Sequence, residues 1–150
     1  MTYEIERVDL IAQPSAVVRG QVPHHGIPDF LGGAFGEVMG VLGAQGIQPA
    51  GPPFGCYVAT ADGFDVEAGF PTSAPVQPAG RVVPSTLPGG TAVQVLYRGP
   101  YAGVAAAYEA GEAWLAEQGW EATAPPWESY LDEPDVSEPR TLVSLPCRAR

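Results

Sequence analysis

The stretch Gly46-Ile47-Gln48-Pro49-Ala50-Gly51-Pro52-Pro53-Phe54-Gly55-Cys56-Tyr57-Val58 and the stretch Gly119-Trp120-Glu121-Ala122-Thr123-Ala124-Pro125-Pro126-Trp127-Glu128-Ser129-Tyr130-Leu131 read as one pattern written twice, 73 residues apart. Carried backwards at that spacing, the match pairs Leu42 with Leu115, Phe35 with Tyr108 and Ala34 with Ala107, so two helical patterns align as well. A unit repeated only twice does not make a solenoid, because stacked repeats need about three copies to share a core. The spacing predicts a pseudo-two-fold domain with repeat halves at about 1–73 and 80–150 and a central cleft. The copies differ at one telling place, since Gly55 in the first is Glu128 in the second.

Working outward, Tyr3–Leu10 and Ser15–Val22 read as strands. Pro28 at a helix start leads into Phe30, Leu31, Ala34, Phe35, Val38, Val41 and Leu42 on one arc, and Gly46 stands as the stop. Gly33, Gly36, Gly40 and Gly43 fall on the opposite arc, which reads either as a place where another backbone approaches closely or as a poor, exposed face, the latter favoured. Phe54–Ala61 and Phe64–Pro71 form a hairpin around Asp62-Gly63, a strong two-residue turn signal. The second half repeats the order: strands at Arg81–Leu87 and Thr91–Arg98, a helix from Pro100 or Tyr101 to Gln118, and strands at Trp127–Leu131 and Arg140–Cys147. Each half reads β-β-α-β-β. The fold class is α+β, an antiparallel sheet with two helices on one face and a concave ligand cleft on the other.

Strand alternation puts Phe54 and Cys56 on the face of Trp127 and Ser129, and Gly55 and Tyr57 on the face of Glu128 and Tyr130. The large apolar pair Phe54 and Trp127 is expected under the helices, which leaves Glu128, Tyr130 and Tyr57 lining the open face. Glutamate is depleted in strands. One between Trp127 and Tyr130 is either solvent-facing or held in a hydrophobic cleft where desolvation raises its pKa. Ionised, it selects cations; with a raised pKa, it can serve as a general acid or base.

The chain has 150 residues, enough for one domain that buries about 68–70% of its unfolded surface. Seven Arg and no Lys against 17 acidic residues give a net charge of −10, which argues against direct contact with nucleic acid. The segment from Met1 to Arg7 has no leader pattern and no run approaches 18 apolar residues, so a cytoplasmic protein without membrane contact is expected. Cys56 and Cys147 lack metal spacing and read as buried thiols. His24 and His25 are adjacent in a turn and make a poor metal pair. Trp114 and Trp120 read as core, and the acidic segment Asp132–Glu138 as a solvated turn. No metal or cofactor is expected.

Tyr97-Arg98-Gly99-Pro100-Tyr101 leading into a helix, then Pro125-Pro126-Trp127-Glu128-Ser129-Tyr130-Leu131, an acidic Pro loop and Thr141-Leu142-Val143-Ser144-Leu145-Pro146, resembles the GyrI-like small-molecule-binding family. That family comprises effector-binding domains fused to AraC-type and MerR-type multidrug regulators, and stand-alone proteins. The resemblance implies a duplicated α+β domain that binds bulky, often cationic or aromatic compounds, with the buried carboxylate of the cleft falling on Glu128. The ligand-binding set expected here is Glu128, Tyr130, Tyr57, Gly55 and Tyr97, serving drug or toxin sequestration or sensing. No helix-turn-helix segment is seen in these residues, so no DNA-binding domain is expected. Some stand-alone relatives are cyclopropanoid hydrolases that act on genotoxins, which makes Glu128 the catalytic candidate in a second reading. A third reading is a protein-interaction module such as a gyrase modulator. A homodimer is left open.

Overall fold

The computed structural model describes residues 3–133 and 135–150. Met1 and Thr2, at the start of the segment read for a leader, and Pro134, inside the acidic loop, lie outside the described residues. The elements run β1 (Glu4–Leu10), β2 (Gln13–Pro23), α1 (Ile27–Gln45), β3 (Phe54–Ala59), β4 (Gly63–Pro71), β5 (Val83–Leu87), β6 (Gly90–Arg98), α2 (Ala105–Gln118), β7 (Trp120–Ala122), β8 (Trp127–Tyr130) and β9 (Arg140–Ala149). The class is α+β: the strand pairings within each part of the sheet (β1–β6, β6–β9, β7–β9, β8–β9, β2–β4, β2–β5, β3–β4) are antiparallel, and there are two main helices among the described residues.

Two compact units divide the chain. One is Ala12–Leu87, the α1 unit; the other joins residues up to Ile11 with Pro88–Arg150, the α2 unit. Within the α1 unit the strand order is β5-β2-β4-β3. Within the α2 unit it is β1-β6-β9-β8, with β7 pairing farther along β9. The opening strand of each sequence half, β1 or β5, therefore pairs within the unit formed mainly by the other half. Residue periodicity cannot show this, because it reports which face a strand buries and not which neighbour it chooses.

Both main helices end as the sequence predicts. Gly46 at φ 68° and Gly119 at φ 72° are left-handed caps whose N–H groups turn back to carbonyls of the last turn, a conformation that glycine adopts without penalty. At the β3–β4 turn, a Cβ on Gly63 would lie 2.2 Å from the Val22 carbonyl oxygen, so the approach of these backbones requires glycine. The helix expected from Pro100 or Tyr101 begins instead at Ala105, after a 3-10 turn at Tyr101–Gly103. There the Pro100 carbonyl accepts a 2.6 Å hydrogen bond from Tyr97 Oη.

In the α1 unit Ala34, Val38 and Leu42 of α1 pack on Ala16, Val18, Val66 and Ala68. In the α2 unit Ala107 and Leu115 of α2 pack on Val93, Val95, Val143 and Leu145, with Trp114 and Trp120 at the margin of that core. Around Gly32, Gly33, Gly36, Gly40 and Gly43 an added Cβ would meet nothing within 4 Å, so the glycine arc of α1 is open. Among the described residues no helix is long and apolar enough to cross a membrane.

Candidate functional site

Strand register fixes the faces. Glu128 lies opposite Val143, and Val143 opposite Val95. Both valines belong to the core under α2, and directly opposed residues of antiparallel strands project to the same side. Glu128 therefore faces α2, and Trp127 faces away from it. In the α1 unit the same parity holds: Tyr57 opposes Val66, a core residue under α1, and Phe54 opposes Gly69 on the other side. This corrects the expectation that Phe54 and Trp127 lie under the helices and Glu128 on an open face. Phe54 and Trp127 are 1% and 6% exposed on the side away from the helices, so their size did not reveal which face a helix covers.

Glu128 is 8% exposed. Tyr108 of α2 donates a 2.6 Å hydrogen bond to its Oε2, and Tyr130, two residues along β8, donates one of 3.1 Å to Oε1. The shorter contact falls in the range of charge-assisted O–H···O⁻ bonds. Tyr108 can come this close because α2 sits low on its sheet: a Cβ on Gly111, one turn later, would be 2.9 Å from Leu145 Cδ1 and 3.0 Å from Val95 Cγ2.

Burial pushes the Glu128 carboxyl above the ordinary glutamate range, and the two phenol hydrogen bonds only partly offset it. Among the described residues Glu128 takes part in no ion pair; the arginines that do pair join Glu67, Glu37, Asp132 and Glu121. Next to this group the Tyr101 ring stands edge-on to Tyr130, centroids 5.8 Å apart. Burial, then Asp132 and Glu133, push the Tyr101 phenol up, which marks a negative local field. Arg140 holds Asp132 by two side-chain bonds, of 2.9 and 3.0 Å, and its backbone N–H donates a third of 2.9 Å.

Of the five residues expected to bind ligand, Glu128 and Tyr130 meet directly. Tyr97 stands two strands from Tyr130 in one cross-strand row, 2% exposed, as a core ring bonded to the Pro100 carbonyl. Gly55 and Tyr57 belong to the α1 unit, where a Cβ on Gly55 would lie 2.7 Å from Tyr57 Oη. The tyrosine folds back over the glycine much as Tyr130 folds back to Glu128. Tyr108 and Tyr101 were missed as site residues, although the pairing of Phe35 with Tyr108 in the repeat already carried the signal for Tyr108. A surface hollow of about 400 Å³ lies elsewhere, lined by Glu37, Val41, Arg81 and Val82 among others and by none of the expected site residues.

No curated protein matches this chain. Among solved structures, the C-terminal domain of EcmrR is 22% identical, with a TM-score of 0.87 over 100% of both chains. The EcmrR–DNA complex gives 23% and 0.85 over 99% of this chain, which spans only 58% of that one. SAV2435 bound to tetraphenylphosphonium is 15% identical, TM-score 0.63, covering 99% of this chain and 94% of that one. A hydrolase from Listeria innocua is 14% identical, TM-score 0.68, with 97% and 92% covered. At these identities the likenesses speak to the fold. The family model for the GyrI-like small molecule binding domain matches residues 1–148, and the chain belongs to that family.

Proposed function

We propose that this domain binds bulky hydrophobic small molecules, cationic or aromatic, through Glu128, in the sequestration or sensing of drugs and toxins. One observation carries the reading: a carboxyl buried to 8% exposure, held by two phenols and in no ion pair among the described residues. A buried carboxylate without a cationic partner is costly, and a ligand cation relieves that cost. The rings of Tyr108, Tyr130 and Tyr101 supply aromatic walls, each favourable cation–π contact adding about 0.5–2 kcal/mol. A tetraphenylphosphonium complex of a protein of this fold supports the ligand class. The net charge of −10 supports action away from nucleic acid.

Glu128 is closed over in this structure, so binding requires at least one phenol to give up its hydrogen bond to the entering cation. A thermal-shift panel of hydrophobic cations tests this, with Glu128→Gln as the variant that keeps the shape and removes the charge. Stabilisation of the parent that is lost in the variant is the expected result. A parent hit that the variant retains unchanged removes Glu128 from the site and favours the protein-interaction reading.

The raised carboxyl beside two phenols supports a second reading, hydrolysis of cyclopropane-bearing genotoxins with Glu128 as general acid or base. Product detected by mass analysis with the parent, and lower by about 10²–10⁴-fold with Glu128→Gln, would establish it.

A further inference from the structure

Thr141 lies directly opposite Tyr130 on β8 and Tyr97 on β6, in the row next to Glu128, Val143 and Val95. It lies two and four residues from Val143 and Leu145 along β9, so its side chain shares their α2-facing side. The residue is 0% exposed, and its Oγ1 has no hydrogen-bond partner among the described residues. A buried hydroxyl left unsatisfied is destabilising, and native proteins keep few such groups.

The α1 unit shows what packing alone would select. By strand register, the residue opposite Tyr57, as Thr141 is opposite Tyr130, is Val66, an isosteric core residue 3% exposed. The two units differ in the same sense at three neighbouring places. Phe35, Gly55 and Val66 on one side stand against Tyr108, Glu128 and Thr141 on the other. Two of those polar groups are bonded to each other, and the third waits beside them. Ser15 and Thr72, in the α1 unit, also carry buried hydroxyls without a partner among the described residues, but Ser15 lies opposite Ser85, which bonds Glu67, and neither stands beside a buried carboxyl.

We infer that the Thr141 hydroxyl is a ligand-binding group, which hydrogen-bonds an uncharged hydroxyl or carbonyl carried by a hydrophobic cation whose charge is received by Glu128. This rests on the cation reading of Glu128. Tyr130 folds from its place opposite Thr141 back to the carboxylate, and Tyr101 packs edge-on against it. A cation that takes the place of Tyr130 at Glu128 swings that ring aside and uncovers the position next to it. The inference thus narrows the ligand class from any greasy cation to one with a hydrogen-bonding group a few ångströms from its charge.

The test uses two probes of nearly equal shape, tetraphenylphosphonium and (4-hydroxyphenyl)triphenylphosphonium, against the parent, Thr141→Val and Thr141→Ser. The parent is expected to favour the hydroxylated probe by about fivefold, the worth of one added hydrogen bond. Thr141→Val should bind both probes equally, with tetraphenylphosphonium unchanged, and Thr141→Ser should retain the preference. Without ligand, Thr141→Val should melt above the parent, because an isosteric methyl replaces an unsatisfied hydroxyl. A lower melting temperature for Thr141→Val, or the same probe preference in parent and valine variant, overturns the inference while leaving Glu128 as the cation receptor. Failure of both probes to bind the parent removes the reading of Glu128 and this inference with it.

Discussion

The two units use similar strands and a similar helix to opposite ends. In the α1 unit the helix-facing row beside β3 is closed and apolar: Gly55 is covered by the hydroxyl of its own neighbour Tyr57, and Phe35 of the helix packs edge-on against Phe70, 5.7 Å between centroids. In the α2 unit the corresponding places carry Glu128, Tyr130 and Tyr108, tied together by two hydrogen bonds. Elsewhere the units exchange roles without changing chemistry. A Cβ on Gly20 would strike the Phe30 ring at 2.7 Å, and one on Gly103 would strike Tyr97 Oη at 2.3 Å. An aromatic ring fills this space in both units, supplied from the helix side in one and from the strand in the other. The two units pack alike in these respects and differ in polarity beside Glu128, and that difference is the candidate site.

The largest expected effect tests the part that is shared. Phe54 and Trp127 are both buried on the side away from the helices, so Phe54→Ala and Trp127→Ala should each cost about 3–5 kcal/mol in denaturant unfolding. A Trp127→Ala protein that unfolds like the parent breaks the correspondence on that side.

A smaller effect sharpens the difference between the helices. Gly111 lets α2 descend onto Val95 and Leu145, whereas α1 has Val38 at the matching position. Gly111→Ala should cost about 1–3 kcal/mol through overpacking, and by lifting α2 it should lengthen the Tyr108–Glu128 hydrogen bond. Neutral stability in that variant, with the Tyr108 phenol still bonded to Glu128 by NMR, would show that the glycine is not what brings the helix down.

Much of this was legible in the residues. The helix stops at Gly46 and Gly119 and the hairpin at Asp62-Gly63 follow from local chemistry. Which face the helices cover did not, because alternation sorts residues into two sets without saying which set a helix chooses. The large rings of Phe54 and Trp127 pointed the wrong way, since the opposite side is buried too. The exchange of β1 and β5 between units is a choice of distant partner, invisible to any local pattern. Tyr108 could have been found, because Phe35 changes to tyrosine at the same spacing that changes Gly55 to glutamate. Thr141 could not, because strand register matches it with Val66, two residues away from where the 73-residue spacing points.

The central claim is that Glu128, raised by burial and held by the phenols of Tyr108 and Tyr130, receives the charge of the ligand. A carboxyl whose folded pKa is raised favours the folded state below its unfolded value, and that contribution is lost as pH rises through the folded value. A cation has the opposite preference and binds the ionised form. The most direct measurement is calorimetric titration with tetraphenylphosphonium from about pH 4 to 8, the range spanned by ordinary and strongly raised carboxyls, for the parent and Glu128→Gln. The account predicts affinity that climbs with pH through the raised Glu128 value, protons released on binding in that window, and a weaker, pH-independent affinity in the variant. Equal affinity in parent and variant across the whole range, with no proton release, would contradict it.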